Sequence, residues 1–291
     1  MREGEVAIGG SLVRGLVGRQ FPRWAGLSLR RIESGGTDNA IYRLGDRLAV
    51  RLPRGEWAAG QAETELRWLP RFAPQLPLEI PAPLAIGAPA CGYPWAWGVY
   101  RWLGGRDAIG HRPGPRAARD LAEFLTAFQR IDARDRPPSG SPGMGRGVPL
   151  AIRDEATRAG LAELTGDIDT AAAIAVWEDA LAAAEWDGPP RWIHGDLHPG
   201  NLLVRGGRLT AVIDFGALAA GDPACDLMAA WTYLDAGSRK VFRDHLRATD
   251  ADWSRGRGWA LSVAAIALPY YRDSNPILAG IARRTLAEIL G

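Results

Sequence analysis

Polar and apolar positions roughly alternate in three short runs near the start of the chain, LSLRRIE (27–33), NAIYRLG (39–45) and RLAVRLP (47–53), separated by Gly-bearing turns. That period predicts half-buried strands, and Gly45-Asp46 predicts a hairpin between the second and third. Ahead of them, Ser11 is placed to cap a helix reaching about Phe21. After them the period changes: Trp57 to about Phe72 reads as a helix stopped by Pro70 or Pro74, and the apolar run YPWAWGVYRWL (93–103) reads as a strand that ends at Gly104-Gly105. Beyond it Leu121, Phe124, Leu125, Phe128 and Ile131 share one helix face. A Pro-, Gly- and Ser-rich loop over 136–149, two helices to residue 187, short strands around 194–214 and helices to the end complete the pattern. The sum is an α+β fold, with an antiparallel sheet and helices first and a mainly helical remainder.

Composition narrows the class. A chain of 291 residues with 47% hydrophobic and 23% charged residues is long enough to bury a sizeable core. The net charge of +2 is carried by dispersed arginines, which gives no electrostatic footprint for nucleic acid or an anionic membrane. Cys91 and Cys225 lie far apart with neither disulfide-framework nor metal-ligand spacing, and the longest apolar stretch, near 259–271, is too short to span a bilayer. A cytoplasmic protein is the expectation. Of the 35 basic residues only Lys240 is a lysine, so chemistry needing a cation elsewhere must use arginine.

Chemistry concentrates in HGDLHPGNLLV (194–204) and TAVIDFGALAAGDPACDL (210–227). NLLV and LTAVI read as a hairpin around Gly206-Gly207, which would return Asp214 toward Asn201, with Asp196 just before. Two side-chain oxygen donors, one from Asn201 and one from Asp214, suit a hard cation such as magnesium that completes its shell with phosphate oxygens and water. A third carboxylate held apart, Asp196, is then available to take a proton from an attacking hydroxyl. Phosphoryl transfer needs this division of labour.

These residues resemble the catalytic and metal loops of the aminoglycoside phosphotransferase family, relatives of the protein kinases with a two-lobed fold. The family's H-G-D-x-x-x-x-N pattern matches His194, Gly195, Asp196 and Asn201; its I-D-F/W-G pattern matches Ile213, Asp214, Phe215 and Gly216; D-P-x-x-D-L matches Asp222, Pro223, Asp226 and Leu227. The resemblance implies Asp196 as catalytic base, Asn201 and Asp214 as magnesium ligands, His194 as a loop support and Asp226 as a buried brace of the catalytic loop. It also implies an N-lobe over 1–103 that binds ATP or GTP and ends in a hinge, and a C-lobe over 104–291 that carries the catalytic and metal loops and the acceptor-binding helices. In ESGGTDNAIYRLG the nucleotide loop would use Gly35 and Gly36 to let backbone N–H groups approach phosphate. Arg51 stands where kinases place a lysine, keeping the charge with a bulkier fork. Glu65 would pair with it, since Glu63 points about 200° away around a helix. Backbone groups of Arg101 and Leu103 would meet the purine.

Between residues 150 and 187 nine acidic residues face two basic ones, which suits either a cationic acceptor or an ordinary solvated face. His198 is as suited to shaping its turn as to touching a ligand, while His111 and His245 read as surface residues. The acceptor is a hydroxylated small molecule, with monomer and homodimer both open. Three function classes share these motifs: a small-molecule kinase for an antibiotic or a metabolite, a nucleotide-binding pseudoenzyme or sensor suggested by the missing lysine, and a metal-dependent phosphohydrolase. The intact Asp196, Asn201 and Asp214 set favours the first, because a pure binder needs no base.

Overall fold

A computed structural model describes residues 4–134 and 145–291. Its contacts divide the chain into two units: one of the residues up to Gln75, Glu79–Gly105 and Ala211–Gly216, the other of Leu76–Leu78, the described part of Arg106–Thr210, and Ala217–Gly291. The main division falls after Gly105, and the short segment containing Asp214 belongs with the first unit.

In the first unit, helix α1 (Gly10–Gln20) starts behind Gly9 with no side-chain cap, so Ser11 lies inside its first turn. Strands β1 (Leu29–Ile32), β2 (Asn39–Leu44) and β3 (Leu48–Pro53) follow. Next come helix α2 (Gln61–Phe72), β4 (Pro83–Gly87) and β5 (Trp97–Arg101). The strands form one antiparallel sheet in the order β1-β2-β3-β5-β4. Strand alternation sends Tyr42, Leu44, Val50 and Leu52 to a core shared with Val13, Leu16 and Val17 of α1 and Trp97 and Val99 of β5. Arg51 is thereby left for the other face. The helical pattern from Trp57 breaks at Gly60, whose φ of 82° separates the single turn Glu56–Ala58 from α2. Pro70 sits inside α2 instead of ending it. The carbonyl its ring deprives of a partner is that of Leu66, a residue exposed to water.

In the second unit, β6 (Arg106–Asp107) leads to α3 (Pro115–Arg130), which buries Leu121, Phe124, Leu125 and Phe128; Ile131 already lies outside as the C-cap. Helices α4 (Asp154–Glu163) and α5 (Thr170–Ala182) precede β7 (Arg191–Ile193), β8 (Leu202–Arg205) and β9 (Arg208–Val212), and β10 (Ala219–Gly221) pairs antiparallel with β7. Helices α6 (Ala229–Thr232), α7 (Ala236–Leu246), α8 (Asp250–Tyr271) and α9 (Pro276–Leu290) close the chain. The axis of this unit is α8, against which α4, α5 and α9 pack. Glycines permit the close approach: a Cβ on Gly160 of α4 would lie 2.6 Å from the Ala265 carbonyl oxygen, and one on Gly258 would lie 2.5 Å from Ala180 Cβ. Among the described residues no helix is long and apolar enough to cross a membrane. The Pro- and Ser-rich stretch 135–144 lies outside the described residues.

Candidate active site

In the first unit, Arg51 binds two carboxylates at once. Its Nη1 donates to both oxygens of Glu65 at 2.8 and 3.1 Å, and its Nη2 donates to Asp214 Oδ1 at 3.1 Å. Glu65 is fully enclosed and Glu63 is exposed, because two residues of helix turn the side chain to the opposite face of α2. Burial would lower the proton affinity of the guanidinium, but Glu65 and Asp214 outweigh it and hold Arg51 above the ordinary arginine range. One turn before Glu65, Gln61 accepts from Asn39 Nδ2 at 2.9 Å and donates to Asp38 Oδ2 at 3.1 Å. The face of α2 that carries Glu65 therefore also holds the end of the β1–β2 loop. A Cβ on Gly216 would come within 2.8 Å of Gln61 Nε2, so the residue after Phe215 must be small.

β9 stops at Val212, and Asp214 takes a left-handed φ of 65°, uncommon for a residue with a side chain. Gly35 and Gly36 lie in the β1–β2 loop, neither with positive φ, and a Cβ on Gly36 would meet only Ser34 Oγ at 3.7 Å. The protein's own packing does not demand glycine at 36. At the end of β5, the Arg101 N–H donates to the Ala82 carbonyl at 3.0 Å, so of its two backbone groups only the carbonyl can serve a purine. Leu103 follows in irregular backbone.

In the second unit, β7 runs into the loop His194–Asn201. The backbone N–H groups of His194 and Gly195 donate to Asp226 Oδ2 and Oδ1, each at 2.8 Å. Asp226 is wholly buried, and burial pushes its carboxyl up to about 7 against the pull of those two N–H groups and Arg146. Gly195 has a φ of 78°, and a Cβ there would lie 2.9 Å from both the Ala217 carbonyl oxygen and Arg146 Cγ.

Asp196 comes next, half-buried. Asn201 Nδ2 donates to its carbonyl oxygen at 2.9 Å and to its Oδ2 at 3.0 Å. Both acceptors lack a proton to give, which fixes the orientation of the Asn201 amide and turns its Oδ1 away from Asp196. His198 Nδ1 accepts from the Gly200 N–H at 3.1 Å, placing the ring proton on Nε2, 3.4 Å from Asp196 Oδ2. His198 thus does shape its turn, and it also faces the carboxylate. Asp196 Oδ1 faces Arg146 Nη2 at 3.7 Å. Burial raises the proton affinity of Asp196, but His198, Arg146 and His194 outweigh it and hold the carboxyl below the usual range.

Arg146 carries no signal in the sequence, since it lies in a Gly- and Pro-rich stretch with no period. Gly147 beside it has a φ of 71°, and its carbonyl accepts from the Asp222 N–H at 3.0 Å. His111, read as a surface residue, is half-buried, and its Nδ1 lies 3.0 Å from the hydroxyl of the buried Tyr233. His245 is exposed. Cys225 is buried in a 3-10 turn, Pro223–Met228, rather than an α-helix.

Each magnesium-ligand candidate keeps an oxygen available. Asn201 turns Nδ2, and so not Oδ1, to Asp196, and Asp214 gives Oδ1 to Arg51. Among the described residues no three His, Cys, Asp or Glu side chains converge on a metal position. One amide oxygen and one carboxylate fit an ion that takes the rest of its shell from phosphate and water.

A basic residue of a five-stranded antiparallel sheet paired with a helix glutamate, followed along the chain by the HGD-to-Asn loop and the IDFG turn, defines a class: proteins of the kinase-like fold. Residues 28–259 match the Phosphotransferase enzyme family, and the chain belongs to it. A curated relative, the protein YcbJ of Bacillus subtilis (strain 168), described as uncharacterized, is 27% identical over 200 residues, which are 66% of this chain and 60% of the relative. The match thus spans less than two thirds of that protein. The fold is shared with the GDP and kanamycin complex of APH(2")-IIia, at 18% identity and a TM-score of 0.74, covering 95% of this chain and 97% of that one. It is also shared with macrolide 2'-phosphotransferase MphH from Brachybacterium faecium, at 24% identity and a TM-score of 0.61, covering 96% and 97%.

Proposed function

We propose that this protein transfers the γ-phosphoryl group of ATP or GTP to a hydroxyl of a small molecule, with Asp196 as general base and magnesium held by Asn201 and Asp214. The observation that carries it is the Asn201 amide. With Asn201 Nδ2 donating to two oxygens of Asp196 and lying 3.2 Å from His198 Nε2, the base keeps Oδ1 for the acceptor hydroxyl while Asn201 keeps its own Oδ1 for a cation. When bound, magnesium supplies charge neutralisation on the nucleotide phosphates. Arg51, braced by Glu65, orients those phosphates; Gly35 and Gly36 let backbone approach them; Leu103 and the Arg101 carbonyl face the purine.

The acceptor is a hydroxylated compound of antibiotic or metabolite size, and the kanamycin and macrolide names of the two structural neighbours support the antibiotic side. A cationic acceptor is supported by the acidic residues of 150–187, although several have other work. Asp154 and Glu178 pair with Arg158, Asp167 pairs with Arg272, and Asp169 caps α5. Glu155, Glu163, Asp179, Glu185 and Asp187 remain exposed for a cation.

Mixtures of aminoglycosides, macrolides and hydroxylated metabolites, incubated with the protein, magnesium, ATP and GTP, should yield one compound with a phosphoryl mass increment. Asp196→Ala should abolish the increment and leave nucleotide affinity within a few-fold, since the base acts on the acceptor. Parallel loss of transfer and nucleotide affinity would remove Asp196 from the role of base.

A further inference from the structure

We infer that Arg146 is a catalytic residue, whose guanidinium binds the non-bridging oxygens of the phosphoryl group as it passes to the acceptor. The inference rests on Asp196 being the base.

The side chain of Arg146 is only 8% exposed, yet it makes no hydrogen bond to any described residue, and its Nε is buried without an acceptor. A guanidinium carries five N–H donors, and enclosing them unsatisfied is costly. Its nearest anion is Asp196 Oδ1 at 3.7 Å, beyond hydrogen-bond reach. The other side of that carboxylate is occupied: Oδ2 takes Asn201 Nδ2 at 3.0 Å and faces His198 Nε2 at 3.4 Å. Arg146 is therefore beside the one oxygen left to receive a proton. The cost of burying Arg146 is offset once a group with more negative charge and more acceptor oxygens arrives at the same place.

The reaction brings such a group. The acceptor hydroxyl oxygen bonds to the γ-phosphorus, the bond from that phosphorus to the β-γ bridging oxygen breaks with its electron pair leaving on the nucleoside diphosphate, and the hydroxyl proton passes to Asp196 Oδ1. The phosphoryl oxygens then lie two bonds, through phosphorus, from the oxygen that Asp196 holds, within reach of Arg146. Its terminal nitrogens are suited to them, because a planar fork binds phosphate oxygens two at a time.

The fold holds Arg146 firmly. Gly147 packs so that a Cβ on it would lie 2.5 Å from Ile193 Cδ1, and a Cβ on Gly221 would lie 2.1 Å from the Gly147 carbonyl oxygen. Arg146 Cβ and Cγ lie against Gly195, with would-be Cβ distances of 3.0 and 2.9 Å. The segment packs against β7 and β10, beside the loop it serves.

The test compares wild type with Arg146→Met, which keeps the aliphatic stem, and Arg146→Lys, which keeps the charge. Calorimetry would measure binding of magnesium ADP or GDP alone, and of the same diphosphate with aluminium fluoride, a planar mimic of the phosphoryl in flight. Arg146→Met should bind the fluoride complex about 100-fold or more weaker, the scale of losing one preorganised transition-state contact. The diphosphate alone should bind within about twofold of wild type, and Arg146→Lys should fall between. Equal binding of the fluoride complex by wild type and both variants overturns the assignment. So does a parallel loss of diphosphate binding in both variants, which would mark a structural role. If wild type itself gains nothing from aluminium fluoride, the phosphotransfer reading falls, and Arg146 with it.

Discussion

At the scale of single residues, two buried charges invite measurement. Arg51 is shared between a carboxylate that is enclosed, Glu65, and one that borders solvent, Asp214. Arg51→Ala would leave Glu65 charged, buried and unpaired, and breaking a buried pair from one side costs about 3–5 kcal/mol. The melting temperature should fall sharply and nucleotide binding should weaken with it. Arg51→Lys should restore most of the stability, since one ammonium can still meet Glu65, but not the full link to Asp214. A variant with wild-type melting and nucleotide affinity would show that Arg51 is dispensable in both roles.

Asp226 gives a pH prediction. Its folded carboxyl titrates near 7, above the unfolded value of about 3.9, so between those values the folded state holds more protons than the unfolded one. Its contribution to stability is full below about 4 and is lost as pH rises through 7. Asp196 runs the other way: its depressed carboxyl stabilises the fold above the unfolded value and loses that contribution as pH falls through the folded one. Asp226→Asn removes the first effect and turns one amide N–H toward a backbone N–H, a loss of about 1–3 kcal/mol for an unsatisfied buried group. In urea titrations, the stability gap between wild type and this variant should change with pH, moving against the wild type from pH 4.5 to 7.5. A gap moving in favour of the wild type over that range would mean that the two backbone N–H groups outweigh burial.

At the scale of elements, helix α2 and the segment around Gly147 do comparable jobs in their own units. Gln61 and Glu65, four residues apart on one face of α2, tie the end of the β1–β2 loop and Arg51 to a single rigid rod. Gly147 and Gly221 let two backbones touch where a side chain would separate them. Gly221→Ala should therefore cost about 1–3 kcal/mol by overpacking. It should also lower kcat more than it raises the KM for nucleotide, because it displaces Arg146 rather than the strand that carries Arg51. Unchanged melting and unchanged kcat together would mean the segment can shift without consequence.

At the scale of the whole molecule, ligand linkage offers the broadest check. A ligand that binds only the folded state stabilises it by about 2.7 kcal/mol at one hundred times its Kd. Magnesium with ATP or GTP should raise the melting temperature by several degrees. EDTA should remove most of that rise, and Asn201→Ala and Asp214→Ala should each blunt it. A rise indifferent to EDTA would mean that the nucleotide binds without a metal.

Much of the architecture is legible from local pattern. Period-two runs mark β2 and β3, and the three-to-four spacing of Leu121, Phe124, Leu125 and Phe128 marks α3, because side-chain direction follows backbone geometry within a few residues. The loop proposed as catalytic is legible for the same reason: His194, Asp196 and Asn201 lie within eight residues of chain. Boundaries were harder to read. Gly60 in a left-handed conformation divides the helix expected from Trp57, and Pro70 stands inside α2 where the carbonyl its ring strands belongs to the exposed Leu66. Both depend on surroundings that periodicity does not encode. The sequence by itself determined the order of strands and helices and the residue types offered for phosphoryl transfer, since both are written in short-range spacing. Only the tertiary structure decided that Asp226 braces the loop through two backbone N–H groups and that Arg146 stands beside the open oxygen of Asp196. Those contacts join residues tens of positions apart, and they exist because glycines let distant backbones pack without side chains between them.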